Sequence, residues 1–222
     1  MSDIGNATSH SHPQPRAARD DADAGAGGLR LPAGSAGERS GGWWGCLALV
    51  VTEASLFAYL LFSYLYLALQ SGRDWPPEGL PKLGLGIVNT AILLTSSVFV
   101  WLCERCVRQR RVRLAVASMA VAVLLGIVFV GVQLREWANH PYGISAHLYG
   151  SLYFTITGFH MMHVIVGIVV LGMLLWWTAL GYFDEQRRAA LTIGGLYWHF
   201  VDVVWLFIFS TLYLSPYVLR GR

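Results

Sequence analysis

The sequence predicts an all-α membrane protein, a bundle of five transmembrane helices. Of its 222 residues, 55% are hydrophobic and only 13% are charged, a balance unlike that of an ordinary soluble domain. Five apolar stretches reach about 20 residues or more, the length at which a helix crosses the hydrocarbon core of a bilayer. The sequence lacks the ten-residue alternating segments typical of a membrane β-barrel. The predicted spans are residues 43–69, 83–103, 114–134, 148–180 and 194–217.

The segments outside the spans differ from them in composition. Residues 1–42 are rich in Gly, Ala, Ser and Pro and have almost no large apolar side chain, so we expect a disordered cytoplasmic tail. A signal peptide is not expected, because the first apolar run begins only after residue 42 and is long enough to stay as an anchor. Residues 218–222 are expected to form a short external tail.

The placement of arginines predicts how the bundle is oriented. Residues 104–113, between the second and third spans, include five arginines, and further arginines lie in the N-terminal tail and between the fourth and fifth spans. Cytoplasmic loops carry the excess of basic residues, so we expect the N-terminus in the cytoplasm and the C-terminus outside. Nucleic acid is not an expected partner, because the arginine run joins two membrane helices.

Two carboxylates lie inside predicted spans, where a charge is costly. An aspartate at mid-helix costs roughly 2.5–3.5 kcal/mol to insert, so Glu53 and Asp202 should face protein or water and have partners. For Glu53 two roles are open: handling protons, or packing as a protonated carboxyl bonded to another helix. Trp198, Asp202 and Trp205 recur at helical spacing, with His199 on a neighbouring line. The last helix should therefore turn a polar, aromatic face inward.

Two histidines of the fourth span, His160 and His163, are three residues apart, a spacing at which both rings can point the same way. A metal site needs three or four ligands, and the carboxylates that complete di-iron bundles are missing here. We also expect Glu53 and Asp202 to lie nearer the cytoplasmic face than the histidines do. The histidines are therefore expected to bond between helices or to a lipid headgroup. Glu136, at the end of the third span, is expected at the outer boundary, within reach of water or headgroups.

Other residues favour packing over catalysis. Cys103 and Cys106 have the spacing of redox and zinc motifs, but without a second pair we interpret them as small apolar residues at a helix end. A nucleophile–base pair, a phosphate-binding loop and a nucleotide fingerprint are missing from the sequence, so no catalytic residue is expected. The second span has four residues that suit the packing of membrane helices: Asn89, Thr90, Ser96 and Ser97.

Two motifs resemble a known family. Residues 157–167 read Thr-Gly-Phe-His-x-x-His-Val-Ile-x-Gly, and residues 197–207 read Tyr-Trp-His-Phe-Val-Asp-Val-Val-Trp-Leu-Phe. Both resemble subunit III of cytochrome c oxidase, and the resemblance covers roughly residues 43–217. The membrane glutamate of the first span, the Asn-Thr and Ser-Ser pairs of the second, and Gln133 with Glu136 in the third fall in the family's order.

The resemblance implies an accessory subunit of a proton-pumping haem–copper oxidase in aerobic respiration. Members of the family carry no haem or metal of their own; haem and copper lie on partner subunits. They pack mainly against subunit I, with subunit II in the same complex, and meet cytochrome c only through that complex. They bind phospholipids, support proton uptake by subunit I and protect it from inactivation during turnover.

The resemblance also implies roles for single residues. Glu53 matches the family's reactive buried glutamate, and His163 matches a histidine beside bound lipid headgroups. Trp198, His199 and Asp202 match the family's Trp-His-x-x-Asp helix.

Two departures from the family pattern affect the lipid site. Many members have seven helices, the first two forming half of a lipid cleft, whereas this chain resembles the shorter five-helix bacterial forms. We therefore expect a multi-pass protein of the bacterial plasma (inner) membrane. Trp177 stands where the family has an arginine, so lipid contacts should be redistributed or weaker.

Two other functions are considered. An accessory subunit of a quinol oxidase or a nitric oxide reductase would have a similar chain, because the electron-donor site lies on other subunits. An independent transporter or membrane metalloenzyme could use Glu53, His160, His163 and Asp202. Five spans cannot divide into two equal halves, however, and the sequence shows no internal repeat of the kind that transporters have.

Overall fold

The computed structural model describes residues 41–71, 75–77, 80–81, 83–140, 143–181 and 189–220, and these contain helices and no strand. Five of the helices are long and apolar enough to cross a membrane, which confirms the predicted fold class. They are α1 (Gly41–Ser71), α2 (Leu83–Arg108), α3 (Val112–Ala138), α4 (Leu148–Ala179) and α5 (Ala189–Phe209). The expected disordered tail lies outside the described residues, except for residues 41 and 42.

The helices extend beyond the apolar stretches that predicted them. α2 continues from residue 103 to Arg108, and α5 begins at Ala189, five residues before the predicted 194. Helical hydrogen bonding does not stop where hydrocarbon stops, because long side chains such as Arg105 can keep their charge in the headgroup region. After α5 the chain makes one π-helical turn, Ser210–Leu214, and ends in a short helix, α6 (Ser215–Arg220).

The helices pack as a ring of four with one helix added outside. α2 packs on α3, α3 on α4, α4 on α5, and α5 closes the ring against α2. α1 contacts α4 and α5, so it lies over the seam between those two helices. Most of α1 is exposed in the isolated chain; its buried residues are Phe57, Tyr64 and Ala68.

Trp198 of α5 is the centre of the ring and touches every other helix of it. Its indole N–H donates to Oγ of Ser96 on α2 at 3.0 Å. On α3 and α4 it meets glycines: a Cβ added at Gly126 would come within 2.9 Å of the ring, and one at Gly167 within 2.8 Å. Only hydrogen fits at these two positions, so the glycines let the helices close around a fully buried tryptophan.

Not every glycine of the long helices has so close a neighbour: a Cβ at Gly158 would meet its nearest atom at an ordinary 3.8 Å. Cys103 and Cys106 are buried as free thiols at the end of α2, which confirms their interpretation as small core residues.

Candidate functional site

Glu53 and His163 form a polar pair between α1 and α4. The Nε2 atom of His163 lies 3.1 Å from Oε2 of Glu53. The expectation that these residues lie at different depths in the membrane is therefore wrong. Each helix is more than 30 residues long, well beyond the 20 needed to cross, so counting from the start of each apolar run misjudged their relative height.

The tautomer of His163 follows from its second hydrogen bond. Nδ1 lies 2.7 Å from the backbone carbonyl oxygen of Phe159, which can only accept, so Nδ1 carries a hydrogen. A hydrogen bond between Nε2 and Oε2 of Glu53 therefore needs a hydrogen on one of these two atoms.

The pair lies at a seam of the bundle. The Glu53 side chain is 29% exposed and that of His163 is 13% exposed. Phe57 covers the imidazole edge-on with ring centroids 5.2 Å apart, and the Tyr197 hydroxyl of α5 donates to the backbone carbonyl of His163 at 3.4 Å. Three helices thus position the pair, which stays open on one side to whatever lies against α1 and α4.

His160 does not share this environment, although it is only one turn away. Its ring is buried among aromatic side chains, stacked on Trp205 at 5.1 Å and edge-on to Phe129 at 6.0 Å. Neither ring nitrogen has a hydrogen-bond partner among the described residues. The expectation of a bond to another helix or to a headgroup is therefore wrong for His160, which packs as a core aromatic residue.

The inward face of α5 has the composition that its spacing predicted. Trp198, Asp202 and Trp205 are all buried. His199, on the neighbouring line, is hydrogen-bonded through Nδ1 to the hydroxyl of Ser97 on α2. Neither carboxylate oxygen of Asp202 makes a hydrogen bond that meets the geometric criteria among the described residues, although both are buried and the Ser97 side chain of α2 interacts with the carboxylate.

The polar residues of α2 bind the neighbouring helices, as predicted. Besides the bonds of Ser96 and Ser97 to α5, the hydroxyl of Thr90 accepts the indole N–H of Trp205 at 3.0 Å. The amide of Asn89 donates to the Gln133 side chain of α3 at 3.1 Å. Such bonds stabilise helix contacts inside a bilayer, where the hydrophobic effect does not drive helices together because the lipid tails are equally apolar.

Glu136 is buried, so the expectation that it reaches water or headgroups is wrong. Its Oε1 accepts the hydroxyl of Tyr213 at 2.8 Å, and that hydroxyl lies 3.1 Å from the hydroxyl of Tyr153. The adjoining Arg135 is exposed, and this charged neighbour made the whole helix end look interfacial. The sequence did carry a signal for Tyr213, which lies four residues, about one helical turn, after Phe209; it belongs to the π-helical turn that follows α5.

The described residues contain no group of three or more His, Cys, Asp or Glu side chains placed to hold a metal ion. What they contain are hydrogen bonds between helices and a partly exposed, hydrogen-bonded Glu53–His163 pair. The fold and the site define a multi-pass helical membrane protein with a polar, aromatic interior.

Comparison with known proteins gives the family. Residues 35–217 match the family model for cytochrome c oxidase subunit III, so the chain belongs to that family. It is 32% identical over 177 residues to cytochrome c oxidase subunit 3 of Prototheca wickerhamii, covering 77% of this chain and 68% of that protein. The subunits 3 of Danio rerio and Marchantia polymorpha are 33% and 34% identical to it, over 68% and 67% of their lengths. The resemblance of the two sequence motifs to this family is thereby confirmed.

Proposed function

We propose that the chain is the accessory, non-redox subunit III of a proton-pumping haem–copper cytochrome c oxidase in a bacterial plasma membrane. The observation that carries the proposal is the family match, which spans all five membrane helices. A subunit 3 is by its name one part of an oxidase complex, so oxygen reduction belongs to that complex. In this proposal haem and copper lie on the partner subunits, with subunit I as the main contact and subunit II in the same assembly.

The packing of the helices is consistent with an accessory role for this chain. The buried hydrogen bonds of α2, α3 and α5 fix the inner ring, which can then act as a rigid body against a partner. The Glu53–His163 pair is a polar group that stays partly exposed at the seam beside α1. In this proposal the pair faces phospholipid or subunit I and helps to keep proton uptake efficient. Trp177, 41% exposed, contributes apolar surface to lipid where the family has an arginine.

Co-purification from native membranes tests the proposal. Tagged protein is isolated in mild detergent, and its haem spectrum and oxygen uptake are measured with reduced cytochrome c and, separately, with quinol. The expected result is co-purified haem and oxygen uptake driven by cytochrome c. Uptake with quinol alone, or reduction of nitric oxide, would assign the chain to one of those oxidoreductases. A colourless protein that arrives alone would refute the accessory role.

A further inference from the structure

A basic cavity lies at the end of α2, away from the Glu53–His163 pair. It has a volume of about 310 Å³, at the lower end of the range for sites that hold small ligands. Its lining residues are Trp101, Glu104, Arg105, Arg108 and Gln109. We propose that this cavity binds the phosphate headgroup of an anionic phospholipid.

The position of the cavity matches the headgroup layer. The apolar part of α2 ends at about residue 103, and Trp101 is 50% exposed, as is typical of tryptophans at a membrane interface. Arg105 and Arg108 follow within two turns on the same side of the helix and are exposed. Acyl chains can therefore lie along α2 while the headgroup meets the two arginines.

One arginine is already oriented for this task. The guanidinium carbon of Arg105 lies 5.4 Å from the centre of the Trp101 ring, a cation–π contact. This contact restrains the guanidinium, whose N–H donors can bind phosphate oxygens in pairs. An arginine fixed in this way loses less conformational freedom on binding than one that is free in solvent.

The charges around the cavity favour an anion. Glu104 also lines it, but its Oε1 lies 3.0 Å from where a Cβ on Gly195 would stand, so the carboxylate is turned toward α5. The adjoining loop adds Arg110 and Arg111, and α3 begins there without a side-chain cap. Uncapped N–H groups at a helix start carry partial positive charge. Basic pockets beside membrane helices are recognised sites for anionic headgroups.

Lipid binding by matched variants tests the proposal. The full chain, purified with the subunits that accompany it, is mildly delipidated, and its binding of phosphatidylglycerol and of phosphatidylcholine is measured by native mass spectrometry. Each arginine near a membrane surface is worth about 1 kcal/mol, or about fivefold, so Arg105→Gln with Arg108→Gln should weaken phosphatidylglycerol binding about 25-fold. Trp101→Leu should weaken it about two- to fivefold, because it releases the stacked guanidinium.

Arg135→Gln is the control, since Arg135 is an exposed arginine at the opposite end of α3. It should leave phosphatidylglycerol binding unchanged. An equal loss in this variant would show binding to surface charge in general and overturn the proposal. Equal affinity of the unaltered protein for both lipids would also overturn it, and so would binding of inorganic phosphate without a preference for phosphatidylglycerol.

Discussion

Replacing Gly167 with alanine should destabilise the bundle through Trp198. The added Cβ would lie 2.8 Å from Cε3 and 2.9 Å from Cζ3 of the indole, short of a normal carbon–carbon contact of about 3.5 Å by about 0.6–0.7 Å. The ring cannot simply withdraw, because Gly126 meets its other side and Ser96 holds its N–H at 3.0 Å. Overpacking of a well-packed core lowers the free energy of unfolding by about 1–3 kcal/mol. Because the Trp198 ring is held on its other sides, we expect Gly167→Ala to fall in the upper half of that range.

The buried thiols of the chain provide the assay. Cys103 and Cys106 are free and buried, whereas Cys46 is partly exposed, so in a Cys46→Ser background a thiol-reactive fluorophore labels the two buried thiols only when the bundle opens on heating. A loss of about 2–3 kcal/mol corresponds to a fall of roughly 4–12 °C in the midpoint for a chain of this size, at 2–4 °C per kcal/mol.

Gly172→Ala is the matched control on the same helix. A Cβ at Gly172 meets nothing within 4 Å, so this change should leave the midpoint unchanged or raise it slightly through better helix propensity. Combining Gly167→Ala with Trp198→Phe, whose shorter side chain leaves room for the methyl group, should recover part of the loss relative to Trp198→Phe alone. Equal unfolding midpoints for Gly167→Ala and Gly172→Ala would refute the claim that the Trp198 ring is held in place between Gly126, Gly167 and Ser96.

Three further changes probe polar contacts between helices. Ser96→Ala should lower the free energy of unfolding by about 1–3 kcal/mol, because it leaves the buried indole N–H of Trp198 without an acceptor. Thr95→Ala should have little effect, because it removes an exposed hydroxyl that bonds only to its own helix. Tyr213→Phe should cost an amount similar to Ser96→Ala, because it removes the buried hydroxyl that bonds both the carboxyl at the end of α3 and the hydroxyl of Tyr153, whereas Tyr217→Phe removes an exposed bond. Glu53→Gln should keep the subunit in its complex, since an amide can still bond the facing imidazole, while Glu53→Leu cannot.

Thermal midpoints from thiol labelling measure the first two changes, and the amount of subunit recovered with its complex measures the third. Equal loss for Ser96→Ala and Thr95→Ala would disprove the interhelical bond of Ser96. A Tyr213→Phe variant as stable as the unaltered chain would show that the Tyr213 hydroxyl does not stabilise the buried Glu136 carboxyl. Complete loss of the Glu53→Gln variant from the membrane would mean that Glu53 must be a carboxyl for the subunit to assemble.

The five spans could be predicted because apolar length is a local property of the sequence. The same holds for the inward face of α5, where Trp198, Asp202 and Trp205 repeat at the helical period. The ends of the helices could not be placed equally well, because backbone hydrogen bonding continues through the charged residues that follow an apolar run.

The sequence could not predict which residues of different helices contact each other. The Glu53–His163 pair joins positions 110 residues apart on two helices that overrun the membrane, so their relative height depends on packing and tilt. The Glu136 side chain looked interfacial beside an exposed arginine, yet its donor, Tyr213, comes from a helix 77 residues later in the chain. His160 and His163 show the same limit, since one turn separates an aromatic core position from a polar seam.

Removal of the subunit from its oxidase is the measurement that tests the central claim most directly. A deletion strain, and the same strain complemented with the chain, would be compared in haem and copper content, initial oxygen uptake and the number of turnovers before inactivation. An accessory subunit without a redox centre predicts unchanged haem and copper and near-normal initial uptake, with earlier inactivation that the complementing chain reverses. Loss of haem or copper from the oxidase of the deletion strain, restored when the chain is added back, would contradict that claim. The same number of turnovers before inactivation in the two strains would also contradict it.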